Sequence, residues 1–180
     1  MSSRFEKTGS ETVYEGGFFT VAAERYRHED GEEVTRDIVH HPGAVGIVVL
    51  DDDSLWFVRQ PREAINAPDF LEIPAGKLDE EGESPLATAK RELAEEIGKQ
   101  AAEWESLGAF RTSPGFTDEQ VHLFLATGIS DVDERPEVEE NERIDVEVRP
   151  LSDLDAILEE TKDSKTLIAL LKLKLRLAAG

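Results

Sequence analysis

Residues 72–98 read EIPAGKLDEEGESPLATAKRELAEEIG, and the rest of the chain is organised around them. Ser84-Pro85 is a helix opening: a serine caps free N–H groups, and proline tolerates the first helical position because its missing N–H would be unpaired anyway. From Leu86 the run LATAKRELAEEI is rich in helix formers and stops at Gly98, a common helix end. Glu92, Glu95 and Glu96 stand at spacings of three and four and project from one face of that helix. Like charges so placed repel by roughly 0.2–0.5 kcal/mol per pair, and a divalent cation would offset the repulsion. Carboxylates without Cys or His beside them suit a hard, oxygen-loving ion such as Mg2+ or Mn2+. On the glutamates alone, a solvated acidic face is the more common explanation.

The whole chain sets bounds around this stretch. Its 180 residues suffice for one domain with a real core. There is no apolar run of transmembrane length, and the start, MSSRFEKTGSETVYEGG, lacks a secretory apolar stretch, so a soluble cytoplasmic protein with no membrane partner is the expectation. The absence of cysteine excludes disulfides, a thiolate nucleophile and a Cys-based zinc site. Twenty basic against forty acidic residues, a formal charge of −20, argues against nucleic acid as a partner, since phosphates need a basic footprint.

Outward from the helix, the N-terminal side reads as strands: Thr12–Tyr14, then Phe18–Arg27 and Val34–His40 as a hairpin about Asp30-Gly31. GAVGIVVL, residues 43–50, suits a buried strand. Asp51–Ser54 forms a solvated hairpin tip, and Leu55–Arg59 returns as its partner. Residues 60–70 read as an irregular loop. Arg59 and Arg62 stand out there in an acidic chain, either as surface charge or as guanidinium forks that grip a substrate phosphate. On the C-terminal side, Trp104–Phe110 and Val121–Ala126 are strands about a Pro-Gly loop, Thr112–Glu119. Residues 131–147 form an acidic loop leading into a strand near Ile144–Arg149. Leu151–Glu160 is a helix opened by Ser152 or Asp153, and Ser164 caps a last helix to about Leu177. LKLKLRL within it alternates and also fits a strand.

Gly76, Glu83, Arg91, Glu92, Glu95, Glu96 and Gly98 stand in the order of the Nudix box, G-x5-E-x7-R-E-U-x-E-E-x-G-U, with U aliphatic. Glu83 through Gly98 fits without a gap. Two departures are an extra residue between Gly76 and Glu83, and Lys99 at the closing aliphatic position. The chain thus resembles the Nudix hydrolases. Val58-Arg59-Gln60-Pro61-Arg62 resembles the V-[RK]-Q-[YF]-R pattern of the ADP-ribose-cleaving members, with Pro61 replacing the aromatic. Ser113-Pro114-Gly115-Phe116-Thr117-Asp118-Glu119 resembles their SPG-x-[ST]-x-E loop, and Pro114, 15 residues past Lys99, is characteristic of that subgroup.

The resemblance implies an α/β fold, an α/β/α sandwich around a mixed sheet with an N-terminal antiparallel sheet. Residues 1–42 would be N-terminal strands exchanged across a homodimer, and residues 43–180 the Nudix hydrolase domain. It implies Mg2+-dependent hydrolysis of ADP-ribose to AMP and ribose 5-phosphate. Glu92 and Glu96 would hold the metal, with Glu95, the backbone carbonyl of Ala75 and Glu119 as further ligands. Glu119 would alternatively act as general base on a mobile loop. Gly76 would allow close backbone approach, Arg91 and Glu83 would hold the ligands in place, and Arg62, with Arg59, would grip the substrate. Tyr14, Phe18 and Phe19 are open candidates for stacking on the base. Another nucleoside diphosphate sugar or an oxidised nucleotide is the nearest alternative substrate, and a non-catalytic ADP-ribose-type sensor is a different class. An isoprenoid diphosphate isomerase of the same fold resembles a mechanism that needs a cysteine, which this chain lacks.

Overall fold

A computed structural model describes residues 4–134 and 143–179. Residues 135–142 of the acidic loop expected over 131–147 therefore lie outside the described residues. The chain forms two compact units.

The first unit is Met1–Gly43 together with Phe110–Gln120. Strands β1 (Phe5–Glu15), β2 (Thr20–His28) and β3 (Glu33–His40) form an antiparallel sheet in that order. The β2–β3 hairpin turns at Asp30-Gly31 as expected. Gly31 adopts φ +87°, and the Asp30 carboxylate accepts the Glu32 N–H at 3.0 Å. β1 is far longer than Thr12–Tyr14 and is almost wholly exposed. Phe110–Gln120, 70 residues away in sequence, joins this sheet by a parallel bridge from Thr117 to Val39. The Val39 N–H donates to the Phe116 carbonyl at 2.7 Å, and the Asp118 N–H to the Val39 carbonyl at 3.2 Å.

The second unit is Ala44–Ala109 with Val121–Gly180. Its mixed sheet has the order β10-β5-β4-β9-β8, built from β4 (Ala44–Asp51), β5 (Ser54–Arg62), β8 (Lys99–Arg111), β9 (Gln120–Asp131) and β10 (Asp145–Pro150). β6 (Ala67–Glu72) pairs with β5, and β7 (Ala75–Lys77) with β4. β4 and β9 run parallel, with Ile47 beside Phe124 and Val49 beside Ala126. Side chains alternate across a strand, so the two faces of β4 bury different partners. Val45, Ile47 and Val49 pack with Ala89, Leu93 and Ile97 of helix α1 (Pro85–Ile97). Helix α3 (Ser164–Ala179) also contacts β4, and its Ala169, Leu170 and Leu173 are fully buried. Helix α2 (Leu154–Glu160) packs on α3. Among the described residues, no helix is long and apolar enough to cross a membrane.

Three sequence expectations need correction. Residues 60–70 are not an irregular loop. β5 continues through Arg62 with a register shift at Pro61, a bulge that lets the strand pass a residue with no N–H to donate. One 3-10 turn, Glu63–Ile65, closed by Asn66 at φ +53°, then leads into β6. Leu151–Glu160 is a 3-10 turn followed by α2, and neither Ser152 nor Asp153 makes a side-chain cap. The cap of α3 is Asp163, not Ser164: the Asp163 carboxylate accepts the Thr166 N–H at 2.9 Å. LKLKLRL is helical, because burial of Leu170 and Leu173 follows helical spacing and not alternation.

Candidate active site

Helix α1 begins as its sequence dictates. The Ser84 hydroxyl accepts the Ala87 N–H, Pro85 takes the first helical position, and Gly98 ends the helix at φ +67°. The apolar face, Ala89, Leu93 and Ile97, fixes the helix on the sheet. This rotation aims Glu92 and Glu96 at β7, whose register sets Gly76 beside Val45 and Ala75 beside Gly46. The Glu96 carboxylate, 4 % exposed, accepts the Ala75 N–H at 3.0 Å. The Glu92 side chain fills the space beside Gly76: a Cβ there would lie 1.9 Å from the Glu92 carboxyl carbon. Gly76 is thus required for the close approach of helix carboxylate and strand, not for an unusual backbone angle.

Arg91 ties the cluster together. Its Nη1 lies 2.8 Å from Glu95 and 3.0 Å from Glu92, and its Nε and Nη2 lie 3.4 Å from Glu83. Glu83 also accepts the Thr88 hydroxyl at 2.9 Å. Burial pulls the Arg91 pKa down, but Glu92, Glu83 and Glu95 outweigh it and raise the value, so the guanidinium stays charged. Arg91 thus faces three carboxylates of the cluster at once. Among the described residues, no three His, Asp or Glu side chains are arranged to hold a metal ion by themselves. Mg2+ commonly takes only one or two carboxylates, with waters and substrate phosphates completing its shell. The all-oxygen donors, the buried Glu96 and the cradle at Gly76 fit such an ion, and Glu92 and Glu96 are the carboxylates that could hold it.

The two arginines of the β5 segment are not equivalent. Arg59 is surrounded on all three nitrogens: Nε bonds Glu147, Nη2 lies 2.9 Å from Glu160, and Nη1 lies 3.5 Å from Asp69. Glu147 chiefly holds the Arg59 pKa above its ordinary value. Arg62 bonds one carboxylate, that of Glu72, through Nε and Nη2 at 2.6 Å each. Glu72 is 1 % exposed; burial raises its pKa, but Arg62 and Lys165 together hold it below the ordinary carboxylate value. Sequence reading passed over Glu72. Its signal was an acid set inside the apolar run Phe70-Leu71-Glu72-Ile73.

Glu119 belongs to the first unit. Its loop is tethered, not free-standing. Glu119 accepts the Thr112 hydroxyl at 2.7 Å, lies 3.7 Å from His41 Nδ1, and donates its N–H to the Thr117 hydroxyl at 3.1 Å. Neighbouring Asp118 accepts the His41 N–H at 2.9 Å and bonds the His40 ring at 2.6 Å. The other ring nitrogen of His40 lies 3.1 Å from Glu24, a buried carboxylate. Burial raises the Glu24 pKa, but bonds from Lys7, Tyr26 and His40 bring it down to about 2. The Asp118 bond is the main cause that raises the His40 pKa above its ordinary value; burial opposes it and Glu24 adds to it. Sequence reading missed the adjacent His40 and His41 and their partner Asp118, which lies 78 and 77 positions further along the chain. Of the aromatic candidates, Phe18 lies edge-on to Phe19 and to His41, with ring centres 5.2 and 5.4 Å apart, and Tyr14 lies 5.8 Å from Phe19.

Comparison with known proteins supplies a context for this geometry. The chain is 44 % identical over 139 residues to the ADP-ribose pyrophosphatase of Mycobacterium tuberculosis, covering 77 % of this chain and 66 % of that protein. It is 40 % identical over 180 residues to the ADP-ribose pyrophosphatase of Bacillus subtilis, covering 98 % and 96 %. It is 37 % identical to the methanol dehydrogenase activator of Bacillus methanolicus, covering 95 % and 94 %. A crystal structure of an ADP compounds hydrolase superposes with a TM-score of 0.86 at 23 % identity, covering 98 % of this chain and 96 % of that one, and shares the fold. The NUDIX domain family matches residues 40–171. With that match spanning the sheet, α1 and its glutamates, the chain belongs to the Nudix family.

Proposed function

We propose that the protein is a Mg2+- or Mn2+-dependent ADP-ribose pyrophosphatase. The observation that carries this reading is the helix face of Glu92 and Glu96 set against Ala75 and Gly76, with Arg91 and Glu83 bracing it. The names of the relatives from M. tuberculosis and B. subtilis supply the substrate.

In the reaction, a water oxygen attacks one phosphorus of the diphosphate, the bridging P–O bond breaks, and AMP and ribose 5-phosphate leave. A diphosphate repels an oxygen nucleophile, and a divalent ion bound there would neutralise phosphate oxygens and acidify water. Glu92 and Glu96 would hold that ion, with the Ala75 carbonyl and Glu95 as further donors. Gly76 keeps the room Glu92 needs. Arg91 and Glu83 restrain the carboxylates, and Arg62 offers donors to a substrate phosphate. Glu119 takes the proton from the attacking water, or serves as an additional ligand; its tether to Thr112 fixes the carboxylate's direction.

β1 supports a homodimer with exchanged N-terminal strands: eleven residues of strand with almost no burial, and Phe5, Val13 and Tyr14 more than half exposed, suit an edge covered by a second copy. The cysteine-free, acidic composition suits the cytoplasm.

Incubation with ADP-ribose and Mg2+ in water enriched in heavy oxygen tests the reading by mass spectrometry. The expected result is AMP and ribose 5-phosphate with label in one of them, abolished by chelation. Cleavage of other nucleoside diphosphate sugars or oxidised nucleotides in preference to ADP-ribose would replace the substrate. Binding without turnover of any of them would replace the enzyme with a sensor.

A further inference from the structure

We infer that Glu72 is a positioning residue that presents Arg62 to a substrate phosphate, with Lys165 and the start of α3 holding Glu72 in place. The inference deepens the proposed function and rests on it.

The guanidinium is a rigid planar fork of five N–H donors. Glu72 occupies its side edge, Nε and one hydrogen of Nη2. One hydrogen of Nη1 and the second of Nη2 point along the adjoining end-on edge, whose geometry matches two oxygens of a phosphate. Arg62 remains two-fifths exposed, so that edge can be reached from solvent. Arg59 differs: its three nitrogens all face carboxylates, which leaves no comparable edge.

Glu72 is itself immobilised. Lys165 Nζ lies 2.6 Å from the same Oε2 that Arg62 Nη2 contacts, and 3.0 Å from Asp163. Asp163 accepts the Thr166 hydroxyl at 2.5 Å, and that hydroxyl accepts the Ile73 N–H at 2.9 Å. The chain of bonds returns to the residue after Glu72, two residues before Ala75, whose N–H holds Glu96. Arg62 and the metal-binding carboxylates therefore share one support. Glu96 is close enough to contribute to the raised Arg62 pKa. A long, half-exposed arginine would otherwise have to be ordered when substrate binds; this carboxylate orders it beforehand.

The test is steady-state kinetics on ADP-ribose with Mg2+ for wild type, Arg62→Ala, Glu72→Gln and the double variant, with melting curves alongside. Expected are a KM raised about tenfold in each single variant, kcat within about twofold, and a double variant no worse than Arg62→Ala. An effect of Glu72→Gln that persists undiminished in the Arg62→Ala background, or that falls on kcat with KM unchanged, would overturn the inference. If Glu72→Gln does not fold, Lys165→Met in the two Arg62 backgrounds gives the same decision: a KM rise only where Arg62 is present supports the inference, and an equal rise in both overturns it. No turnover by the wild type overturns the functional reading, and this inference with it.

Discussion

Glu92 and Glu96 on α1 and Glu119 on the Thr112–Glu119 loop are given parts in one reaction, yet they are held by different physics. The helix carboxylates owe their spacing to the 3.6-residue turn, and a few local contacts complete the arrangement: the Ser84 cap, the Gly98 end and the Gly76 cradle. Glu119 has no such period. Its direction depends on Thr112, Thr117 and His41, and its loop depends on Val39 and His40 of β3, nearly eighty residues earlier. One region is assembled by propensity and then used; the other exists only once a distant strand is in place.

The largest expected effect lies on the helix. Glu92→Gln removes the charge of a proposed metal ligand while keeping its size, and a loss of about 4 kcal/mol of transition-state stabilisation would lower turnover ~1000-fold. Near-wild-type kcat for this variant would break the assignment of the metal to α1. Gly76→Ala comes next. The clash is with the flexible end of Glu92, so the fold should survive while the carboxylate is displaced by an ångström or more. A rate loss of ~100-fold with an almost unchanged melting temperature is expected. A large drop in stability with normal rate per folded molecule would show that the cradle is structural only.

The loop should instead respond to pH. Charged His40 sits between Asp118 and Glu24, and its folded pKa lies above the ordinary value of about 6.5. Its contribution to docking the loop is therefore complete below about pH 6.5, and is lost as pH rises through the raised folded value. NMR titration of the His40 ring should give a midpoint above the ordinary one, and protection of the Asp118 amide against hydrogen exchange should fall across the same range. His40→Asn should remove the pH dependence and slow turnover only a few-fold. A midpoint at or below the ordinary value would mean that the loop is not clamped by this pair. The smallest effect is Ser84→Ala, costing about 1 kcal/mol, or roughly 2–4 °C in melting temperature, with kcat unchanged. That outcome would sharpen the contrast, because the helix could lose a cap and still keep its carboxylates in register.

The span of α1, the facing of its glutamates, the β2–β3 hairpin and the buried strand at residues 44–51 were legible in the sequence. Each is a short-range pattern: a period, a cap, a turn residue or an apolar run. Lys99, at the closing aliphatic position of the motif, shows how context overrides pattern: its amine bonds Asp131 and lies 4.6 Å from the Trp56 ring centre. The difference in surroundings between Arg59 and Arg62 was not legible, since the same residue type twice in one strand differs only in what folds back onto it. Glu160 reaches Arg59 across 101 positions, and Lys165 reaches Glu72 across 93. The Val39–Thr117 bridge likewise brings Phe110–Gln120 to the N-terminal sheet. Spacing along the chain determined which carboxylates could share a helix face; only the tertiary structure decided which arginine keeps an open edge and which strand carries the Glu119 loop, because those choices rest on charges and hydrogen bonds between segments with no common period.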